Sequence, residues 1–449
     1  MCFGSIKYVS VKSVDVNSTL RRAGGFALVG TTAVTAPVLG QAAFAPFVAM
    51  AVLGAFVITD GPLFELFARP GDRQDGRLNG LIGFSLAAAG LALISAELGM
   101  PTAAFVAATL IVAYGNLGKR IISETSDNPF IGTAGFVVAA TVGGIGGQAA
   151  TASFTDTAVL WPRFVFLATV GALSAALLRE ILFERDDPLV MMSSGLLLWL
   201  FGYLATDVSA IEVIAALVVT VVLGLLSYLL GTASVAGMLS GVILGLLVIV
   251  YGGFGWFAIL MTFFSVGALS TKYKYDIKTK RGVAEENEGA RGTGNVLGNA
   301  AIALLCVILF AAGDAVIIDL IWFKYAFAGS MAAALSDTLS SELGVLFDQP
   351  RLITTLEAVP PGTDGGVTWQ GELFGFVGAS LVGAISFVLL PALTPLGAIS
   401  IAVSGFLGMV TDSVLGATVE GDRIGNEAVN LAATFTGAML SVSAVGLLG

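Results

Sequence analysis

The stretch ASVAGMLSGVILGLLVIVYGGFGWFAILMTFFSVGALS, residues 233–270, decides the fold class of this 449-residue chain. It holds two apolar runs without a charged residue, and each is long enough to cross the hydrocarbon core of a bilayer as an α-helix. Similar runs recur from end to end, with a mean hydropathy of +0.93 and only 12% charged residues. A helix satisfies its backbone hydrogen bonds internally, as a segment in lipid must. The runs also lack the alternation of apolar and polar residues that is typical of strands in a membrane barrel. The sequence therefore predicts an all-α, polytopic transmembrane helix bundle.

Hydropathy divides the chain into about fifteen predicted spans in two halves. We take residues 1–229 as a first membrane domain and residues 230–449 as a second. The predicted spans lie near 23–40, 42–59, 78–96, 101–118, 130–150, 163–181, 189–206, 209–229, 233–250, 252–270, 297–312, 315–335, 372–390, 393–411 and 428–448.

The charged connectors predict the orientation of these spans, because Lys and Arg collect on the cytoplasmic side of a membrane. Nearly all of them follow an even number of spans. We therefore expect a multi-pass protein of the cell membrane, with the N-terminus and the candidate site loops in the cytoplasm and the C-terminus outside. The bases concerned are Lys7, Lys12, Arg21, Arg22, Arg69, Arg73, Arg77, Lys119, Arg120, Arg179, Arg185, Lys272, Lys274, Lys278, Lys280, Arg281 and Arg291.

The composition excludes several kinds of active site. The chain has no histidine, so histidine bases, histidine metal ligands and Ser-His triads are ruled out. The two cysteines, Cys2 and Cys306, lie far apart and favour neither a disulfide nor a thiolate metal site. A bound metal must then be held by oxygen ligands, which favours Mg²⁺ over Zn²⁺. The net charge of −10 predicts acidic, solvent-facing loops of the halophilic kind, and no nucleic acid is expected as a partner.

Three polar clusters interrupt the apolar background, and the span count puts all three on the cytoplasmic face. They are residues 270–299, rich in Lys, Arg and Asn, and residues 336–344 and 410–430, which supply acids and hydroxyls. Asp412 and Glu420 are eight residues apart, so on a continuous helix they would share one face. Acids at a membrane edge are candidates for function.

These clusters suit phosphoryl transfer, which needs positioning and charge neutralisation and can proceed without histidine. Bases would bind phosphates, and carboxylates would hold Mg²⁺. Simpler interpretations stay open beside this one. The Lys-rich loop can serve only to orient the chain, Asp337 can cap a helix start, and the acids of 410–422 can lie in a solvated loop.

Four ordered motifs resemble one known family. They are similar to the integral-membrane family known as domain of unknown function ninety-two, which includes transmembrane protein nineteen of animals and the phytyl-phosphate kinase of plants. The resemblance covers about residues 230 to 449. It implies a kinase at the cytoplasmic face that converts an isoprenoid monophosphate, of the phytyl or geranylgeranyl type, to the diphosphate, with a nucleoside triphosphate such as CTP as donor. The motifs are RGVAEENEGARGTGNVLGN (281–299), SDTLSSELG (336–344), GTDGGVTWQGELFGFVGA (362–379) and GFLGMVTDSVLGATVEG (405–421).

The resemblance carries a set of candidate site residues onto this chain. Catalysis and Mg²⁺ binding are assigned to Asp337, Glu342, Asp412 and Glu420, with Glu285 as a further metal ligand. Binding of the phosphates and the head group is assigned to Lys280, Asn287, Arg291, Asn295, Asn299, Ser341, Thr363, Asp364, Thr368, Ser413, Asn426 and Asn430. Gly366 and Gly416 belong to the same motifs.

The front half resembles a degenerate form of the dolichol kinase and phytol kinase signature, in the stretch AYGNLGKRIISETSDNPFIGTAGFVVA (113–139). The residues that fit the signature are Gly115, Gly118, Lys119, Gly132 and Thr133. The acid expected just before the first of these glycines is absent. An active front half would phosphorylate the free alcohol, whereas an inactive one would be a structural partner domain.

A transporter is the alternative function, since many spans in two similar halves are also how carriers are built. The acids, however, lie at one membrane edge, and the predicted spans hold almost no charge near the midplane. We therefore expect a lipid kinase whose partners are the bilayer, a nucleotide and an isoprenoid phosphate. The sequence leaves the oligomeric state open.

Overall fold

The computed structural model describes residues 16–69, 71–182, 187–204, 208–284, 292–420 and 423–448. Thirteen helical segments in these ranges are long and apolar enough to cross a membrane. The prediction of an all-α, polytopic membrane protein is therefore confirmed. The chain forms two compact units, Met1–Tyr203 and Leu204–Gly449. The division falls one helix before the predicted boundary, because the helix at 210–229 packs against the helix that follows it.

The first unit is built from helices of very different length. Its long helices are α6 to α10, and α7 packs most extensively against α8. The helices are α1 (Val16–Thr31), α2 (Ala36–Leu39), α3 (Ala45–Val52), α4 (Gly61–Phe67), α5 (Asp72–Asp75), α6 (Asn79–Glu97), α7 (Thr102–Ser123), α8 (Pro129–Phe154), α9 (Trp161–Ile181) and α10 (Asp187–Leu204).

The second unit is a bundle of long helices with one short helix and one small hairpin of strands. The helices are α11 (Ala210–Leu229), α12 (Val235–Gly252), α13 (Phe254–Lys272), α14 (Tyr275–Arg281), α15 (Thr293–Ala311), α16 (Ile321–Gly344), α17 (Trp369–Leu389), α18 (Pro395–Gly416) and α19 (Asn426–Leu448). Strands β1 (Arg351–Leu352) and β2 (Gly366–Val367) pair antiparallel between α16 and α17.

The fifteen predicted spans differ from the thirteen segments at two places. The predicted spans 23–40 and 42–59 form one helical stretch, Ser18–Val57, whose 40 residues are about twice what one crossing needs. Two 3₁₀ turns, Thr32–Thr35 and Gly40–Phe44, interrupt it. The predicted span 315–335 corresponds to α16, which starts later and is not among the thirteen.

Helix α16 is the centre of the second unit and packs against α13, α15, α17, α18 and α19. Its stretch 328–336, AGSMAAALS, is buried throughout. A Cβ on Gly405 would lie 2.5 Å from the Cβ of Ala332, and one on Gly437 would lie 2.6 Å from the carbonyl oxygen of Gly329. Small residues thus let α18 and α19 approach the backbone of α16. Because α16 faces protein, its polar C-terminal end can lie inside the bundle.

We predict that Gly405→Ala lowers the thermal unfolding midpoint, because the added methyl would meet the backbone of Ala332 and overpacking typically costs about 1 to 3 kcal/mol. Gly241→Ala is the matched control. No atom lies within 4 Å of a Cβ built at Gly241, and the change gains helix propensity. Thermal unfolding in detergent checks both variants, and an equal effect of the two would contradict the packing described for α16.

Candidate functional site

A cavity of about 690 Å³ lies where α16 and α18 end and where α15 and α19 begin. Residues of the segment between α16 and α17, including β2, complete its wall. The structure thus brings residues of all four motifs to one place, as the sequence predicted. The predicted site residues that line the cavity are Asn295, Asn299, Asp337, Ser341, Glu342, Thr363, Asp364, Gly366, Thr368, Asp412, Ser413, Glu420, Asn426 and Asn430.

Four predicted site residues are not among the described lining residues. Lys280 is exposed on α14 and is not among the lining residues, so the predicted phosphate contact has no support from its position. Glu285, Asn287 and Arg291 lie outside the described residues. Their roles stay predictions.

The cluster 336–344 is the C-terminal part of α16, which continues from Ile321 to Gly344. The alternative of Asp337 as a helix N-cap is therefore wrong, because the residue lies in the interior of a helix. The helix instead carries Asp337 and Ser341, one turn apart, along the cavity wall. Ser341 Oγ donates a hydrogen bond to the carbonyl oxygen of Thr338 at 3.3 Å.

Asp337 and Asp412 are the two acids that come into direct contact, α16 supplying one and α18 the other. Their carboxyl groups are close enough to interact with each other. The Oδ2 atom of Asp412 is buried and has no hydrogen-bond partner. Two carboxylates this close repel each other, so the pair is stable only with a proton or a cation between them. The pair is thus a candidate for binding a cation.

Glu342 is held differently from this pair. Lys278 of α14 is fully buried, and its Nζ donates to Glu342 Oε2 at 2.6 Å and to the carbonyl oxygens of Ser270 and Thr271 at 2.8 and 3.2 Å. The Thr271 hydroxyl donates to Glu342 Oε1 at 2.6 Å. Both carboxylate oxygens are thus engaged with protein. This geometry favours a positioning role for Glu342 over the predicted metal ligation.

Glu420 is not on the helix that carries Asp412. Helix α18 ends at Gly416, so the prediction of one continuous helix through both acids is wrong. The chain turns after α18, and the Oε2 atom of Glu420 still lies only 3.3 Å from where a Cβ on Gly416 would be. Burial raises the pKa of the Glu420 carboxyl, and the negative charges of Asp364 and Glu427 raise that pKa further.

Asp364 is held near Glu420 because the next residue, Gly365, contacts the backbone at the end of α18. Gly365 adopts φ +70°, and a Cβ there would lie 2.5 Å from the carbonyl oxygen of Ser413 and from the backbone nitrogen of Ala417. Only glycine allows both the positive φ and this approach. The segment before β2 is therefore fixed against the end of α18.

Glu427 is a lining residue that the sequence reasoning missed. It lies in the first turn of α19, and its Oε1 is 2.8 Å from where a Cβ on Gly294 would be. The glycine pair Gly294 and Gly298 faces Glu427 across the α15–α19 contact, so it serves helix packing. The regular spacing of these glycines was the available signal for a partner, but it does not identify which residue fills the gap.

The N-terminus of α15 adds backbone donors to the cavity. Its N-cap is Gly292, which supplies no side-chain cap, and Gly292, Gly294 and Asn295 line the cavity. First-turn amides and the helix dipole attract anions. The Oδ1 atom of Asn295 is buried without a hydrogen-bond partner, whereas the Asn299 amide donates to the Asn295 carbonyl oxygen at 3.0 Å.

The charge of the wall is strongly negative. The described lining residues include six acids and no Lys or Arg. The oxygen-only donor set fits Mg²⁺, which typically takes one or two carboxylates and completes its shell with water and substrate oxygens. In the described ranges, no three His, Cys, Asp or Glu side chains are already gathered around one metal position. The Asp337–Asp412 pair could supply only part of a coordination shell, and water and substrate oxygens would have to complete it. The acids are Asp337, Glu342, Asp364, Asp412, Glu420 and Glu427.

Comparisons with known proteins match this part of the chain. The model of the family Integral membrane protein DUF92 matches residues 218–438. The uncharacterized membrane protein MJ0933 of Methanocaldococcus jannaschii is 36% identical over 212 residues, which are 46% of this chain and 83% of that protein. The chain belongs to the DUF92 family.

Other DUF92 relatives show similar coverage. The uncharacterized membrane protein sll0875 of Synechocystis is 34% identical over 207 residues, or 43% of this chain and 76% of that protein. Protein VTE6, chloroplastic, of Arabidopsis thaliana is 28% identical over 216 residues, or 46% of this chain and 64% of that protein. No solved structure matches the chain. All residues that line the cavity fall within the DUF92 match.

The signature residues of the front half lie before the DUF92 match. Gly115 and Gly118 are inside α7, and a Cβ on Gly118 would lie 2.5 Å from the carbonyl oxygen of Gly135 in α8. They pack α7 against α8. Thr133 is buried near the start of α8 and donates to Glu180 Oε1 at 2.8 Å, and Lys119 Nζ lies 3.9 Å from the same oxygen. Gly132 precedes Thr133 in the first turns of α8.

We predict that Lys278→Met destabilises the DUF92 unit by about 3 to 5 kcal/mol, because Glu342 would remain buried without its cation. Adding Glu342→Gln to Lys278→Met should restore part of the loss. Lys280→Met, an exposed position on the same helix, is the control and should change little. Chemical unfolding measures all four proteins, and equal effects at 278 and 280 would contradict the ion pair.

We predict that Glu420→Gln raises the stability of the cation-free protein at neutral pH. Since the raised pKa of Glu420 makes the folded state bind more protons than the unfolded state, this group's contribution to stability falls as pH rises through that pKa. The difference in unfolding midpoint between wild type and Glu420→Gln, measured with a chelator from about pH 4 to about pH 8, should therefore grow with pH. A difference that shrinks with pH would contradict the crowding of acids at Glu420.

Proposed function

We propose that the second unit is a Mg²⁺-dependent kinase that transfers a phosphoryl group from a nucleoside triphosphate, CTP or ATP, to an isoprenoid monophosphate of the phytyl or geranylgeranyl type. The observation that carries the proposal is the cavity, in which an acid pair for a cation and an uncapped helix N-terminus for an anion share one wall. The resemblance to phytyl-phosphate kinases in the same four motifs supports it.

The acids of the cavity would bind the cation, and the backbone amides would bind the negatively charged phosphates. Asp337 and Asp412 would hold Mg²⁺, which when bound neutralises phosphate charge and orients the phosphoryl group. The first amides of α15 would bind phosphate oxygens. Ser413 and Asn426 line the same cavity and offer neutral hydrogen bonds to the remaining oxygens.

A monophosphate acceptor suits this set of side chains. Its second pKa is about 6, so it is largely ionised at neutral pH and can attack without losing a proton first. A phosphate oxygen of the acceptor would form the new P–O bond to the γ-phosphorus, and the bond between that phosphorus and the β–γ bridging oxygen would break. A free alcohol would need a base to accept its proton. The chain, which has no histidine, therefore favours the monophosphate, and phosphorylation of the free alcohol remains a further activity to test.

The character of the lining supports binding of head groups rather than of a hydrocarbon tail. Most lining residues are polar, charged or glycine, and Val345, Phe347 and Val367 are the large apolar residues among the described ones. An isoprenoid tail gains no hydrophobic stabilisation in such a wall. We therefore expect the tail to stay in the bilayer while the phosphate enters the cavity.

The test is transfer of labelled γ-phosphate by the full chain in liposomes, with CTP or ATP as donor and phytyl and geranylgeranyl monophosphates, or the free alcohols, as acceptors. We expect diphosphate formation that requires Mg²⁺, and a loss of at least about 10²-fold in kcat for Asp337→Asn and Asp412→Asn. Glu357→Gln, an exposed acid outside the cavity wall, is the matched control and should stay near wild type.

The contrary outcome is equally definite. Absence of product from every acceptor, with folded protein and Mg²⁺ present, would reject the kinase and favour a transporter. Equal losses in Asp412→Asn and Glu357→Gln would reject the assignment of the site to the cavity.

A further inference from the structure

A second, much smaller cavity lies inside the first unit and has the opposite charge. Its volume is about 40 Å³, and its wall comes from α1, the turn after α4, α7, α9 and the start of α10. Of the ten lining residues that the structure describes, five are basic and one is acidic. The bases are Arg22, Arg69, Lys119, Arg120 and Arg179.

The acid in this wall is already neutralised. Asp187 is 5% exposed. Its Oδ1 pairs with Arg179, and its Oδ2 accepts from Arg69 at 3.4 Å and from the Asn116 amide at 3.2 Å. A carboxylate with both oxygens engaged offers little attraction to a further cation. It does hold two guanidinium groups in place at the cavity.

Arg179 provides the observation that points to a ligand. Its side chain is nine-tenths buried, and its Nε atom is buried without a hydrogen-bond partner. An unmade hydrogen bond of a buried charged group is costly, and native proteins rarely leave one. The guanidinium carbon lies 5.4 Å from the centre of the Phe136 ring, a cation–π contact that provides no hydrogen-bond acceptor at Nε. The site therefore lacks an acceptor at Nε.

Lys119 is held by a longer ion pair than Arg179 and is more exposed. Its Nζ lies 3.9 Å from Glu180 Oε1, which is an ion pair but too long for a hydrogen bond. The same Glu180 oxygen accepts the hydroxyl of Thr133 at 2.8 Å. About a third of the Lys119 side chain is exposed, so its ammonium can reach an arriving anion without unfolding the wall.

We propose that this cavity binds a single phosphate group. The bases outnumber the acids in the described wall, a buried Arg lacks an acceptor, and phosphate oxygens are the acceptors that guanidinium groups match best. The volume of about 40 Å³ is little more than that of one water in the liquid, about 30 Å³. One phosphate oxygen would therefore enter the cavity, the rest of the phosphate would lie at its rim, and a nucleoside is excluded. The phosphate belongs either to a lipid head group or to a soluble phosphoester.

The experiment measures the thermal unfolding midpoint of the full chain, and its readout does not depend on kinase activity. Inorganic phosphate is titrated in detergent at constant ionic strength against chloride. Vesicles of phosphatidylcholine with or without phosphatidic acid, which ends in a phosphomonoester, form the second arm. A rise in the midpoint in both arms would mean that the site accepts a phosphate from a lipid or from a soluble compound. A rise only with phosphatidic acid would mean that the ligand is a lipid head group. Either result supports the site if the response is weaker in the Lys119→Gln variant, because the larger cavity is also proposed to bind phosphates.

Two variants and a control separate this site from general charge attraction. Lys119→Gln should raise the phosphate concentration that gives half of the midpoint shift about tenfold, because one charged hydrogen bond is lost. Arg179→Lys keeps the charge beside Asp187 but removes the Nε donor, and should raise this concentration as well. Arg73→Gln removes an exposed base that pairs with Glu65 and is not in the wall, and should respond like wild type.

The proposal is overturned if neither phosphate nor phosphatidic acid raises the midpoint of the wild type. It is also overturned if Lys119→Gln and Arg73→Gln respond equally, since binding would then follow net charge rather than this cavity.

Discussion

The close packing around α16 is the constraint on which the second unit depends. A helix that ends in SDTLSSELG is poorly suited to lipid, because its acids and hydroxyls have no partners there. Small residues allow α18 and α19 to contact the backbone of α16. Gly405 of α18 lies against Ala332, and Gly437 of α19 lies against Gly329. The polar end then faces other protein segments. The cavity exists because α16 is enclosed on all sides before it reaches its end.

The polarity of the helix ends organises the chemistry inside the cavity. Acids stand on α16 and α18 near the C-termini, and backbone amides are presented by the N-terminus of α15. The buried pair of Lys278 and Glu342 joins the end of α13 and the short helix α14 to the last turn of α16. This pair works as scaffolding. Because Asp337 lies five residues before Glu342 on the same helix, the ion pair also fixes the position of Asp337 in the cavity wall.

The sequence predicted much of this from local signals and missed what depends on tertiary contact. Long apolar runs predicted the helices, and the ordered polar motifs predicted the set of residues that meet at one cavity. Hydropathy predicted a span at 315–335, but α16 begins at Ile321 and continues to Gly344, because its polar C-terminal end packs against other protein segments. The prediction from the helical spacing of Asp412 and Glu420 failed because α18 ends at Gly416, where the backbone nitrogen of Gly365 lies 2.9 Å from a Cβ built on Gly416. Lys278 and Lys280 are alike in sequence, and only packing distinguishes the buried one from the exposed one.

The absence of basic side chains from the described part of the larger cavity wall has a kinetic consequence under the proposed function. An unaccompanied triphosphate would meet carboxylates of this wall, Asp364 and Glu427 among them, before it reached the amides of α15, and repulsion would slow its entry. The same nucleotide complexed with divalent cations carries less negative charge and adds the ions that the acids attract. The wall would therefore act as an electrostatic filter that admits metal complexes and rejects free polyphosphates. Selection of this kind lies in the charge of the entrance and requires no moving part.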